Sequence, residues 1–173
     1  MKDDHGATLI EFAIVSVLLI TVLYGIMEFG LAFKDWLSIS HASREGARIG
    51  AVAGNDSAAD IAILRSVERA LTASMMGDIV DVTIDDPDHM SETTTYRWDG
   101  TTPCRWTPCP DPDDLSYVPP NWLPSGRKID TPTERIEVTV RFQHHWLTTM
   151  YNDGISNWTK AVIMRIEPQV FGS

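Results

Sequence analysis

Apolar and polar positions divide the chain into a long apolar N-terminal stretch followed by segments of alternating character. From Phe12 to Met27 the sequence FAIVSVLLITVLYGIM holds no charge, and EFGLAF carries the apolar run on to Phe33 with Glu28 as the one interruption. A helix needs about 20 mainly apolar residues to cross roughly 30 Å of hydrocarbon. The pattern therefore predicts a membrane-crossing helix, with its span at about 8–33. Tyr24, Phe33 and Trp36 lie towards the far interface, where aromatic side chains collect. Beyond the span the helix is expected to run to about Gly54, making one long element over 7–54. Its upper part, SISHASREGARIGAVAG, sets small residues on adjoining stripes: Ala42, Gly46 and Gly50, then Ser43, Ala47 and Ala51. Four-residue spacing keeps each set on one face. Such a stripe serves close helix packing, either with neighbouring helices or with the protein's own head.

After Gly54 the periods change. Ser57 is placed to cap a second helix, with Asp60 three residues on. Ile61, Leu64, Val67, Leu71 and Met75 keep helical spacing, and Gly77 is expected to end the element. The period then becomes two. Val80, Val82 and Ile84 alternate with polar residues, as do Ile136, Val138, Val140 and Phe142, and both read as half-buried strands. TKAVIMRIE (159–167) reads as a third, more continuously apolar strand after a turn at Tyr151-Asn152-Asp153-Gly154, and TTTYRW (93–98) as a possible fourth. The pattern predicts an α+β chain: a long helix, a shorter one, and an antiparallel sheet of three to four strands. Between the strands, 85–134 holds nine of the ten prolines and no apolar period, and it reads as one long excursion from a head domain over 55–173. Trp98, Trp106, Tyr117 and Trp122 give it aromatic anchors, either for a contact with a partner or for covering the sheet beneath.

Charge and composition narrow the function. The 173 residues carry a net charge of −10. This argues against a nucleic-acid partner, which needs a basic face. Cys104 and Cys109 form a disulfide if the head is exported and stay reduced in the cytosol. A zinc site would need a second ligand pair that the sequence lacks, so no metal or cofactor is expected. His144 and His145 are adjacent on a strand and point to opposite faces. The acidic runs at 85–88 and 111–114 have no calcium-loop spacing and read as solvated turns. No phosphate loop or nucleophile elbow is present, and no enzyme is expected.

The entry to the span is the most specific feature. Gly6, then ATLI, then Glu11 and Phe12 resemble a type IV prepilin processing site. Further on, GIMEFGLAF (25–33) and SREGARIGA (43–51) resemble the TadE-like family, minor pilins or pseudopilins of the tight-adherence pilus. The resemblance implies a leader over 1–6, cut by a prepilin peptidase between Gly6 and Ala7. The leader MKDDHG is acidic on balance, where those of the family carry net positive charge. The cut would leave a cationic amine on Ala7 that Glu11 of the same or a neighbouring subunit neutralises, because pairing makes a charge tolerable in low dielectric. Glu28 matches the family's second carboxylate, as a partner within the filament or as the outer edge of the span. The implied partners are the peptidase, the major pilin, other minor pilins, the inner-membrane assembly platform and membrane lipid. The implied location is the cytoplasmic membrane, single-pass with the head exported, and then the pilus or cell surface. The rival reading is a permanent single-pass protein whose exported head binds a ligand or partner.

Overall fold

The computed structural model describes residues 5–71, 76–100, 105–110, 121–130, 132–148 and 154–168. The residues of the leader ahead of His5, Met75, Cys104, the acidic run 111–114, Tyr117 and the turn residues Tyr151–Asp153 lie outside them, so the expectations placed there are not addressed. Helix α1 spans His5–Ala53. It ends at Gly54, whose φ of 56° is the left-handed value that releases a glycine from a helix at little cost, and whose N–H donates to Gly50 O at 3.1 Å. Helix α2 spans Ala59–Leu71. Its first turn is capped by Asp56, not by Ser57: the Asp56 carboxylate accepts the Ala58 N–H at 2.8 Å.

Five antiparallel strands follow: β1 (Gly77–Asp86), β2 (His89–Trp98), β3 (Trp106–Thr107), β4 (Arg135–His145) and β5 (Ile155–Arg165). The spatial order is β3-β2-β1-β4-β5. The α+β class is as expected, but the strand count is five. Gly77 opens β1 instead of closing α2. The stretch 85–134 is also not one excursion. A two-residue turn at Pro87-Asp88 leads straight into β2, which begins four residues before the expected TTTYRW. The two-residue edge strand β3 is too short to leave a period in the sequence.

One face of the sheet carries the core. Val82 and Ile84 of β1, Tyr96 of β2 and Ile136, Val138, Val140 and Phe142 of β4 are buried with Ile63, Leu64 and Val67 of α2. On α1 the buried positions are Glu28, Ala32, Asp35, Ile39, Ala42, Ser43, Gly46, Ala47, Gly50 and Ala51. They recur every three or four residues, so one stripe of α1 faces the head along its upper half. The aromatic anchors turn inward as well. Trp106 and Trp122 are buried, Trp98 meets Trp106 edge-on at 4.9 Å, and the Trp122 N–H reaches Thr94. Of the two readings given for the aromatic anchors, covering the sheet is the one observed for Trp98, Trp106 and Trp122.

Candidate functional site

The lower half of α1 stands free of the other described residues. No residue from Gly6 to Met27 is buried, and Leu9, Phe12, Ile14, Leu18 and Leu23 are each more than half exposed. The 21 residues from Ala7 to Met27 rise about 32 Å, close to the thickness of a bilayer core. The helix is long and apolar enough to cross a membrane: its apolar 18-residue stretch has a mean hydropathy of 2.4, and none of that stretch is buried. Glu11 lies on this bare segment, exposed, and its carboxylate makes no hydrogen bond or ion pair among the described residues. A Cβ added at Gly6 would meet nothing within 4 Å. A helical glycine costs roughly 0.5–1 kcal/mol relative to alanine, and internal packing gives no reason for one at this position.

The head takes hold of the helix at Glu28. Its carboxylate accepts the Thr148 backbone N–H at 2.9 Å and the Thr148 hydroxyl at 2.9 Å, just after β4. Two turns higher, an Asp35 carboxylate oxygen lies 2.8 Å from His144 Nδ1, within hydrogen-bond distance. The His144 ring stacks on Trp158 at 4.6 Å and meets the edge of Trp146 at 4.8 Å. Trp146 also touches Phe29, and Trp36 touches Trp158, each at 6.0 Å. His145 points to the other face of the sheet, 3.3 Å from Asp78. Glu28 was expected to pair charges or mark the edge of the span; its partners here are neutral donors of its own head.

Above this polar seat the small residues let helix and head approach. A Cβ on Gly46 would lie 3.0 Å from Val67 and 3.1 Å from Val138, and one on Gly50 would lie 2.6 Å from Ile136. The Ser43 hydroxyl is within 3.0 Å of Lys160 O, ready to donate to β5. The stripe of Ala42, Gly46 and Gly50 therefore faces α2 and β4. The alternative, a surface left open to neighbouring helices, does not hold at these positions.

Two further polar groups escaped the sequence reading. Asp60, expected in a weak capping position, is buried and accepts from Tyr96 OH at 2.5 Å and from Arg127 Nη2. The Arg127 guanidinium lies over the Trp122 ring at 4.5 Å, which ties the segment before β4 to α2. Asp86, expected in a solvated turn, is buried instead. It accepts the Asp88 N–H at 2.9 Å and His89 Nδ1 at 2.6 Å, and it raises the pKa of His89 through that bond. Asp86, His89 and Glu92 bring possible ligand atoms within 4.8 Å of one another. Two acceptor positions of Asp86 are already spent on the turn, so the group reads as local structure. Neighbouring Asp85 faces Glu137 across the β1–β4 ladder; partial burial, then Glu137 and Asp86, push its pKa up to about 6. A cleft of about 540 Å³ beside the turn holds both signs of charge, with Arg135 bound to Asp88 through Nε at 2.8 Å and Lys128 3.5 Å from Glu134.

Fold and site together define an α+β protein on a long helical stalk, whose lower half is bare and apolar and whose upper half is clamped by the head. Residues 6–48 match the family model described as TadE-like protein. The match covers α1 from Gly6 through the first half of its small-residue stripe, as the prepilin-like entry and the two later motifs led us to expect. It supports association with a tight-adherence pilus, and the family is not one of enzymes. No curated protein and no solved structure matches the chain.

Proposed function

We propose that this chain is a minor pilin or pseudopilin of a tight-adherence pilus. It is held in the cytoplasmic membrane by α1 with its head exported, cut between Gly6 and Ala7 by a prepilin peptidase, and assembled through the lower half of α1. The observation that carries the reading is the bare segment itself: 21 residues without one buried side chain, with a carboxylate at Glu11 that no described residue satisfies. A charge in hydrocarbon is expensive, and a functional role is its default explanation. The new amine on Ala7, from the same or a neighbouring subunit, is the counter-charge that processing would create. Major and minor pilins meeting at the inner-membrane assembly platform would bring such helices together, and the pilus would then carry the head to the cell surface, where it contributes to adhesion.

The test is the N-terminus of the protein from its native host, read by intact mass and N-terminal peptide mapping. A start at Ala7 is expected, and Gly6→Ala should block that cut without lowering the melting temperature, because the added methyl meets nothing. A retained Met1 or Lys2 in cells with an active prepilin peptidase would replace this reading with a permanent anchor.

A further inference from the structure

We propose that the end of the head carrying Trp146 and Leu147 is a second membrane contact, seated in the headgroup layer beside the point where α1 leaves the bilayer. The inference rests on the membrane reading of α1 and is independent of cleavage after Gly6.

The argument is one of height. If the hydrocarbon is filled from about Ala7, roughly 30 Å of it ends near Met27 and Glu28. Thr148 is hydrogen-bonded to Glu28 through both its backbone N–H and its hydroxyl, so the chain just after β4 is fixed at that level. Phe29, one residue above Glu28, touches Trp146. The headgroup layer adds about 5–8 Å on each side of the hydrocarbon, which covers α1 up to about Phe33. The surface there is apolar and aromatic: Leu147 is 50% exposed, Phe29 58% and Phe33 63%. The described head leaves at least half of each of these side chains open, with Phe29 meeting Trp146 along one edge.

The chemistry suits the layer between tails and water. The indole Nε1 of Trp146 donates to Ser156 Oγ at 2.7 Å, so the ring enters lipid without stranding a polar atom. The Trp146 backbone N–H donates to Gly154 O at 2.8 Å, closing that end of the sheet. Higher up, Trp36 is 40% exposed with Lys160 Nζ 5.2 Å from its ring centre, and Lys34, two residues earlier on the helix, is exposed. An aromatic girdle with basic side chains above it is what an interface selects. The contact is apolar more than electrostatic, because exposed Asp78 and His145 share the same end of the sheet. It should therefore persist in uncharged lipid.

The experiment uses the full chain in phosphatidylcholine vesicles. An environment-sensitive fluorophore is placed at Leu147→Cys, with Cys104 and Cys109 replaced by serine. The same label at Leu18→Cys reports mid-span, and at Asp88→Cys the opposite end of the sheet. We expect Leu18 to be quenched by lipids spin-labelled deep in the chain, Leu147 by lipids labelled near the headgroup, and Asp88 by aqueous iodide only. Iodide quenching of position 147 like that of 88 would overturn the inference. So would shielding from both quenchers, since a second copy of the chain would then be the cover. Failure of the Leu18 label to reach lipid would overturn the anchor reading along with it. A label-free measurement guards against a misfolded variant: Trp146→Phe should remove part of the native tryptophan quenching by brominated lipid, and an unchanged quench would also overturn the proposal. The pilin reading stands or falls separately, on the mature N-terminus.

Discussion

Replacing Asp60 by alanine would strand a buried cation. Asp60 is 1% exposed and Arg127 3%, and Asp60 is the acceptor for both Arg127 Nη2 and the Tyr96 hydroxyl. Arg127 Nε and Nη1 have no partner among the described residues, which leaves the Asp60 carboxylate and the Trp122 ring to compensate its charge. Removing one partner of such a pair costs about 3–5 kcal/mol, because the remaining charge stays desolvated. The loss is a large part of the roughly 5–15 kcal/mol that stabilises a domain. At about 2–4 °C per kcal/mol for a chain of this size, the melting temperature should drop by about 6–20 °C. The assay is thermal and urea denaturation of the full chain in detergent, comparing Asp60→Ala, Arg127→Met and the double variant. Apolar replacement of a buried pair is often close to neutral, so the double variant should recover much of the loss. A single-variant cost below about 1 kcal/mol, or two costs that simply add, would refute the coupling.

Three further predictions concern the ladder, the stripe and the stalk. Asp85 has a folded pKa of about 6 against 3.8 for the ordinary group, so the fold holds an extra proton between those values; its contribution is full below 3.8 and lost as pH rises through about 6. Discounted for the solvent that still screens it, Asp85→Asn should gain about 1 kcal/mol at neutral pH and nothing in strong acid, flattening the stability–pH curve; an unchanged curve rules this out. Gly46→Leu should cost about 2–3 kcal/mol, because even its Cβ already crowds the branched methyls of Val67 and Val138; an unaltered melt would mean the stripe is not the seat of the head. Glu11→Ala should leave melting and membrane insertion intact yet reduce incorporation into pili, measured by immunoblot of sheared filaments, and wild-type incorporation would remove that role from Glu11.

What the sequence disclosed is what local patterns encode. The end of α1 at Gly54 and the alternation of β4 are readable because periods of 3.6 and 2 and a left-handed glycine act within a few residues. β5 looked continuously apolar because Ala161 and Ile163 point away from the helix while Val162 and Met164 lean towards it. The polar groups were not readable in the same way. Asp60 looks like a helix-start carboxylate, and its partner lies 67 residues away. Glu28 looks like the edge of a span, and its partner lies 120 residues away. In both, the deciding signal is a buried donor brought in by topology, which a one-dimensional pattern does not contain. The prolines misled for a related reason: they mark where the chain turns, and β2 runs between two of them.

The division of α1 at Glu28 limits how it can meet other subunits. Above Glu28 one face is consumed by the head, and the small residues that would permit the closest helix approach are already filled by α2 and β4. The faces left open change character upward, from Phe29, Phe33 and Leu37 to His41 and Arg44, while Arg48 is already bound by Glu45. A neighbouring helix laid along this side would therefore need an apolar lower part and carboxylates higher up. Below Glu28 no face is taken by a described residue, and every approach direction ends in the same demand: a cation at the level of Glu11. If assembly runs through this segment, it is selected by charge at one point and by shape nowhere. Exchanging Glu11 for Gln should then hurt incorporation as much as Glu11→Ala, because Gln keeps the shape and the hydrogen-bonding amide but cannot neutralise an amine. Full incorporation of the Gln variant would show that the carboxylate serves as a hydrogen-bond acceptor alone.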